Sequence, residues 1–274
     1  MFAARNMMFA GALLDPDAAA YIAAVETALG SSITETQKSA IDVFAKAEKL
    51  ASRWTSIKRL YLPIWGNAAA NAVCLKSLAS GTFVGGVTHG AGYVQGDGST
   101  GYMSMGTSPS AQGVTGSSGF IFALVRQAES RTGANFTLVG ATNVTSQLRI
   151  YHITYESKTS LIAPSVSSII NSPNNMVRSG VFYGGATASN ARYLRVRRTA
   201  GVQNAGSNAT TDNTSTSTSA MALMAVNSEG AHQQHTNARI GAGGFGLGLS
   251  IANSDAFSAN LKTLWETCTG LTLP

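Results

Sequence analysis

FIFALVR, at Phe120–Arg126, is a short run of aromatic, β-branched and aliphatic side chains that begins directly after Gly119. Outward from it lie Phe136–Gly140, Leu148–Tyr155 (LRIYHITY), Val177–Tyr183, Tyr193–Arg197, Ala220–Val226 and Arg239–Leu247, divided by stretches of Gly, Asn, Ser and Thr. Short apolar runs between turn residues read as an antiparallel all-β sandwich and not as strands alternating with helices. Upstream, Gly92–Gly98 and Tyr102–Met103 read as one strand broken by a tight turn at Asp97-Gly98. Glycine at every second position through Gly244, Gly246 and Gly248 predicts a strand lying close under another backbone or a tryptophan. NAGSNATTDNTSTSTS, residues 204–219, has no side chain large enough to pack a core and reads as an exposed loop or a polar edge strand.

The two ends are helical. Asp15-Pro16-Asp17 is a helix start, with Tyr21, Val25, Ala28 and Leu29 at helical spacing and Gly30 as the stop. Thr34 with Gln37 three residues on is a capping box, and Ile41, Phe44, Ala45, Glu48 and Ala51 carry that helix forward. Trp54, Ile57, Leu60 and Tyr61 read as a turn or further helix before Pro63, and residues 66–80 read equally well as helix or loop. The apolar stripes Tyr21-Val25 and Ile41-Phe44 are thin and need another surface; they are the candidate assembly contacts. Near the other end, Asn253 or Ser254 caps a helix with Phe257, Leu261, Leu264, Trp265 and Cys268 on its apolar face, and Gly270 closes it. The division expected is residues 1–80 as a helical attachment segment and 81–274 as a sandwich with a terminal helix.

Charged residues are only 12% of the 274, against about a quarter in an average globular chain. Small polar side chains take their place, which suits a protein held in a large assembly or on a cell exterior. Nineteen Lys and Arg against 13 Asp and Glu leave a net charge of +6, yet the one dense basic cluster is ARYLRVRR, residues 191–198, so no nucleic-acid partner is indicated. The apolar stretch ending at Leu14 is too short and interrupted to span a bilayer. Cys74 and Cys268 read as an unpaired buried pair, since nothing else resembles a disulfide scaffold.

Four stretches carry a family resemblance. AGYVQGDGSTGYMSMGTSPS (Ala91–Ser110) resembles the opening of the LamG-like, concanavalin A-like jelly-roll domain of tailed-phage virion proteins, and ARIGAGGFGLGLSIANSDAFSANLKTLWETCTG (Ala238–Gly270) resembles the end of those proteins. GSSITETQ (Gly30–Gln37) and IKRLYLPIWGNAAANAVCLKSL (Ile57–Leu78) look like their N-terminal segment. The resemblance implies a concanavalin A-like sandwich. It also implies a structural component of a virion, whether fibre, spike or capsid decoration protein, assembled in the host cytoplasm with other virion proteins and trimeric by analogy. The alternative is an adhesin that recognises a host-surface glycan. Members of the wider fold often bind sugars with calcium, but the seven carboxylates after residue 80 (Asp97, Glu129, Glu156, Asp212, Glu229, Asp255 and Glu266) are scattered, which argues against an inherited metal site.

The residues themselves point to no cofactor and no catalytic set. His232 and His235 lie between strands without an attendant Cys or carboxylate cluster, so they read as a polar loop. The strand carrying the paired acids of concanavalin A-like glucanases has no counterpart; Glu129 and Glu156 read as surface residues, and the chain reads as a non-enzyme. Candidate platforms for sugar stacking are Tyr93, Tyr102 and Tyr183, while Trp265 reads as core. Alternation along Tyr193–Arg197 puts Arg195 and Arg197 on one strand face, where they are candidate contacts for an acidic sugar or phosphate, or ordinary surface residues.

Overall fold

The computed structural model describes residues 13–130, 135–143, 146–153, 158–162, 169–171, 179–188, 190–208 and 216–274. It opens with α1 (Pro16–Leu29) and α2 (Glu35–Leu50). Asp15 accepts the amides of Asp17 and Ala18, Gly30 ends α1 at φ 68°, and Thr34 and Gln37 form the reciprocal capping box of α2. Then come β1 (Ile57–Tyr61), α3 (Ala68–Asn71), β2 (Thr82–Val84), β3 (Val87–Gly90), β4 (Tyr93–Gly96), β5 (Tyr102–Ser104), β6 (Gly119–Gln127), β7 (Asn135–Thr142) and β8 (Gln147–Ile153). The chain continues through β9 (Lys158–Ile162), β10 (Ile169–Asn171), β11 (Gly180–Ala188), β12 (Ala191–Arg198), β13 (Gly201–Asn208), β14 (Ala222–Leu223), β15 (Val226–Ser228), β16 (Ala231–Gln233) and β17 (Arg239–Gly246), and ends with α4 (Ile251–Thr269).

Among the described residues the strands form two sheets. The eight-stranded sheet runs β13-β12-β11-β6-β17-β4-β3, with β1 also on β17; the nine-stranded sheet runs β10-β9-β8-β7-β14-β5-β2, with β15 and β16 attached through β7. All pairings are antiparallel except β15 on β7. Alternation decides which face each side chain takes. Along β6, Ile121, Ala123 and Val125 join Val94, Met103, Leu148, Ile150, Phe182, Leu223 and Phe245 in a core between the sheets. Phe120, Phe122 and Leu124 face the other way and meet Tyr21, Phe44, Phe257, Leu261 and Trp265 in a second core under the helices. The architecture is therefore mixed, helices over one of two incompletely closed sheets, and the all-β expectation is corrected in that respect.

That second core also corrects the assembly contacts. Tyr21, Val25, Ile41 and Phe44 are buried against the chain's own sheet and α4. The surface their thin stripes needed is internal. Glu48, the polar interruption on α2, is fully buried, and the Arg53 guanidinium donates to both its oxygens at 2.7 and 2.9 Å while Asn260 of α4 donates to it at 2.7 Å.

Three local expectations change. Ile57–Tyr61 is a strand, because β17 offers it a glycine edge: a β-carbon at Gly244 or Gly246 would overlap the carbonyl oxygens of Arg59 and Ser56. Gly244 and Gly246 thus lie close under another backbone, one of the two alternatives their alternation offered, and Gly241, outside that alternation, passes beneath Trp265. Only Ala68–Asn71 of residues 66–80 is helical, and α4 begins at Ile251 under a Ser250 cap, a few residues before the expected start. Finally, β4 and β5 do not pair as a hairpin but lie in different sheets. Asp97 makes that crossing by accepting the amides of Ser99, Thr100 and Gly101 at 2.7–2.8 Å. Residues 204–208 lie on edge strand β13, as the polar-edge reading allowed, and residues 209–215 lie outside the described set. Cys74 and Cys268 are both free and buried.

Candidate functional site

The helices cover one face of the eight-stranded sheet; on the outer face of the nine-stranded sheet Tyr102, Arg149, His232, Gln234 and His235 are partly exposed, whereas Tyr151 and Thr137 are buried. Leu148 and Ile150 point into the core, so Arg149 and Tyr151 of β8 point outward; Met103 does the same for its neighbours Tyr102 and Ser104 of β5. Across this face runs a band of rings and polar groups. The Arg149 guanidinium lies over the Tyr151 ring, 4.6 Å from its centroid, and donates to Gln234 Oε1 at 2.7 Å. The Thr137 hydroxyl, on the strand beside Tyr151, donates to the same oxygen at 3.1 Å. Next in sequence, His235 sits 5.9 Å from Tyr102, whose ring stacks on His232 at 3.7 Å and 13°.

Gln234 is the hinge of this band. Its φ of 52° lies in the left-handed region, where a residue with a β-carbon is strained. Its carbonyl is fixed by the Thr137 amide at 2.8 Å. With Oε1 occupied by two donors, the half-buried Nε2 makes no bond among the described residues and keeps two N–H donors for an outside acceptor. Gln234 and Arg149 carry no local signal as site residues, because Gln234 meets its partners across 85 and 97 positions. Burial pushes His232 below its ordinary pKa, with the neighbouring His235 adding to the effect, so the ring on Tyr102 is neutral at pH 7. Burial likewise works against the charge of Arg149.

The remaining candidates lie elsewhere. Tyr183 is fully buried and donates to Asp255 Oδ1 at 2.6 Å, which removes its ring from the surface. Arg195 pairs with Asp255 at 2.9 Å, and Arg197 donates to the Ser258 hydroxyl and the Asp255 carbonyl, so both tie β12 to α4. Tyr93 faces outward on β4 beside Arg239 and Arg126. Glu129 is buried, accepting the Thr236 hydroxyl and the Asn237 amide, and thereby pins the segment that runs from His235 on one sheet to Arg239 on the other. Glu156 lies outside the described residues. Among the described residues no three His, Cys, Asp or Glu side chains gather as a metal ion requires, and no helix is long and apolar enough to cross a membrane.

No protein-family model matches the chain, and no curated protein matches it. Solved structures do. Trypanosoma rangeli sialidase in complex with 2,3-difluoro-KDN superposes with a TM-score of 0.51 at 8% identity, over 76% of this chain and 33% of that one. A mutant of the same sialidase displaying trans-sialidase activity gives 0.50 at 9% identity, over 82% and 39%. Domain 4 of AbnA, an extracellular arabinanase from Geobacillus stearothermophilus in complex with arabinotriose, gives 0.49 at 11%, over 74% and 98%. The chain thus spans about a third of the sialidase it matches, and at these identities the likeness is one of fold alone. It corrects the expectation of a tailed-phage virion protein, and with it virion partners, virion location and a trimer by analogy: the shared fold is that of parts of carbohydrate-active proteins.

Proposed function

We propose that this chain is a glycan-binding module with no hydrolytic activity of its own. The observation that carries the proposal is the partly exposed band Arg149-Gln234-His235-Tyr102-His232 on the outer face of the nine-stranded sheet, with the Tyr151 ring buried beneath the Arg149 guanidinium as its floor. Sugar rings present apolar faces flanked by hydroxyls, and a surface for them alternates ring platforms with preorganised donors and acceptors. The strained Gln234, with its free amide donors, and the neutral His232 on Tyr102 supply that alternation. The concanavalin A-like reading of the two sheets belongs with this proposal, with Tyr102 and Tyr93 as the sugar contacts and the residues before 80 as the support behind the sandwich. A non-catalytic role is supported by Glu129, whose carboxylate is committed to Thr236 and Asn237 and is turned away from solvent.

The test is titration calorimetry of the whole chain against a panel of neutral oligosaccharides, arabinan and galactan fragments included. At least one ligand binds, and Tyr102→Ala and Gln234→Ala each weaken it about ten-fold or more without changing the melting temperature by more than a few degrees. Absence of binding to every saccharide, or release of reducing sugar that persists in Gln234→Ala, overturns the proposal.

A further inference from the structure

The second cluster lies on the other sheet, beyond the edge of the helical layer. On β4, Val94 points into the core and Tyr93 and Gln95 point outward; on β6 and β17 the outward residues at the same level are Arg126 and Arg239. The Arg239 guanidinium sits 4.6 Å from the Tyr93 ring centroid and that of Arg126 5.7 Å from it. Neither arginine has a carboxylate partner among the described residues. Arg239 Nε donates to Gln95 Oε1 at 3.2 Å, and among the described residues Arg126 meets only the ring. A carboxylate is present three positions from Arg126, but Glu129 is buried and bonded to Thr236 and Asn237. The ring is held in place from below, since a β-carbon at Gly90 would overlap it. Two half-buried guanidinium groups set on one ring, with no carboxylate partner among the described residues, offer an anion two sets of N–H donors.

We propose that Arg126 and Arg239, set on Tyr93, hold the carboxylate of an acidic sugar. The guanidinium fork presents paired N–H donors at the spacing of a carboxylate's two oxygens, and the pair is charge-assisted. A point-like convergence on one ring fits a single carboxylate; a phosphodiester chain is met by a line of cations along its length. The exposed Thr88, paired with Gln95 across β3 and β4, supplies a hydroxyl for sugar hydroxyls on the same face, while Gln95, which accepts from Arg239 and donates to the Asn237 carbonyl at 2.9 Å, holds Arg239 in place. That the carboxylate belongs to a saccharide rests on the glycan-binding reading; the anion preference itself rests on this cluster alone.

The experiment titrates the full chain with trigalacturonic acid and 3′-sialyllactose, each against its methyl ester, at low and at 0.3 M salt, in wild type, Arg126→Gln, Arg239→Gln and the double variant. At least one acid binds about ten-fold or more tighter than its ester, as expected for a charge-assisted hydrogen-bonded pair. The preference shrinks in each single variant, disappears in the double, and weakens with salt, while the affinity for the ester stays unchanged. Equal binding of acid and ester, or a preference that survives in the double variant, overturns the anion site and leaves the glycan reading standing. Binding of none of the four ligands, with none of the neutral panel bound either, overturns both.

Discussion

On one face of the eight-stranded sheet, arginines meet two different fates. Under the helices, Arg195 and Arg197 end on Asp255 and Ser258 of α4, and nearby Arg53 is matched by both oxygens of Glu48. Past the edge of the helical layer, Arg126 and Arg239 end on a tyrosine ring with no carboxylate partner among the described residues. The first set holds elements together, and its charges are spent inside the chain. The second contributes nothing comparable to the fold, so its charge is available to something outside. Residue type does not distinguish the two sets; the acceptor does.

The largest effect that tests this difference falls on the buried pair. Glu48→Ala leaves the Arg53 guanidinium, itself 7% exposed, in the interior without its carboxylate and strips Asn260 of an acceptor. Removing one partner of a buried pair costs about 3–5 kcal/mol. Urea unfolding followed by fluorescence measures it, and Glu48→Gln, which keeps the hydrogen-bond acceptor but loses the charge, falls between wild type and Glu48→Ala. A neutral Glu48→Ala would break the comparison at its stronger end.

Asp255→Ala comes next. It removes the acceptor of the buried Tyr183 hydroxyl at 2.6 Å and the partner of Arg195 at 2.9 Å. The Arg195 pair is partly exposed and adds little. The orphaned hydroxyl dominates, at about 1–3 kcal/mol, and hydrogen exchange should rise first in α4, which loses its carboxylate ties to Tyr183 and Arg195 while the Arg197 bonds to the Ser258 hydroxyl and the Asp255 carbonyl remain. Arg126→Gln with Arg239→Gln stands at the opposite pole: stability stays within about 0.5 kcal/mol of wild type, as for surface positions outside any network, because neither half-buried arginine has a carboxylate partner among the described residues. Destabilisation comparable to that of Asp255→Ala would make these arginines structural and erase the distinction.

What was legible in the sequence divides along the same line. Capping residues, the glycine alternation of β17, the apolar face of α4 and the strand runs are local signals; they marked Thr34 with Gln37, Gly244 and Gly246 beneath β1 and Trp265 in the core, although α4 is capped by Ser250 and not by Asn253 or Ser254. The site is not local. Gln234 meets Arg149 and Thr137 across 85 and 97 positions, and Arg239 meets Gln95 across 144. Tyr93 and Tyr102 were visible as tyrosines beside a turn, but nothing in their neighbourhood showed that the Asp97 loop sends them to different sheets. Arg195 and Arg197 were correctly placed on one strand face by alternation. That the same face is capped by α4, which turns them into anchors, depends on a helix some sixty residues on.

The smallest expected effect is on pH. His89 and His232 both sit below the ordinary imidazole value of 6.5, His89 through burial and His232 through burial and then the nearby His235. A folded-state pKa below the unfolded one means that the unfolded chain takes up the proton first. This part of the stability is therefore fully present above about pH 6.5 and is lost as the pH falls below it. The contacts agree with the sign: Asn71 Nδ2 donates to His89 Nδ1 at 3.0 Å, which needs that nitrogen unprotonated, and His232 Nε2 is buried without an acceptor for a second proton. Asp97 does not confuse the window. Burial raises its pKa, but the Thr100 hydroxyl and the amides of Thr100, Ser99 and Gly101 bring it well below the usual carboxylate range, so it titrates only in stronger acid. Unfolding measured at pH 7.5 and pH 5.5 should show the chain less stable at the lower value, with the difference reduced in His89→Asn and His232→Asn and smallest in the double variant. Because His232 stacks on Tyr102, neutral-sugar affinity should weaken over the same interval, whereas the acid preference at Arg126 and Arg239, whose charges do not change there, should persist; loss of both together would mean the two surfaces are one site.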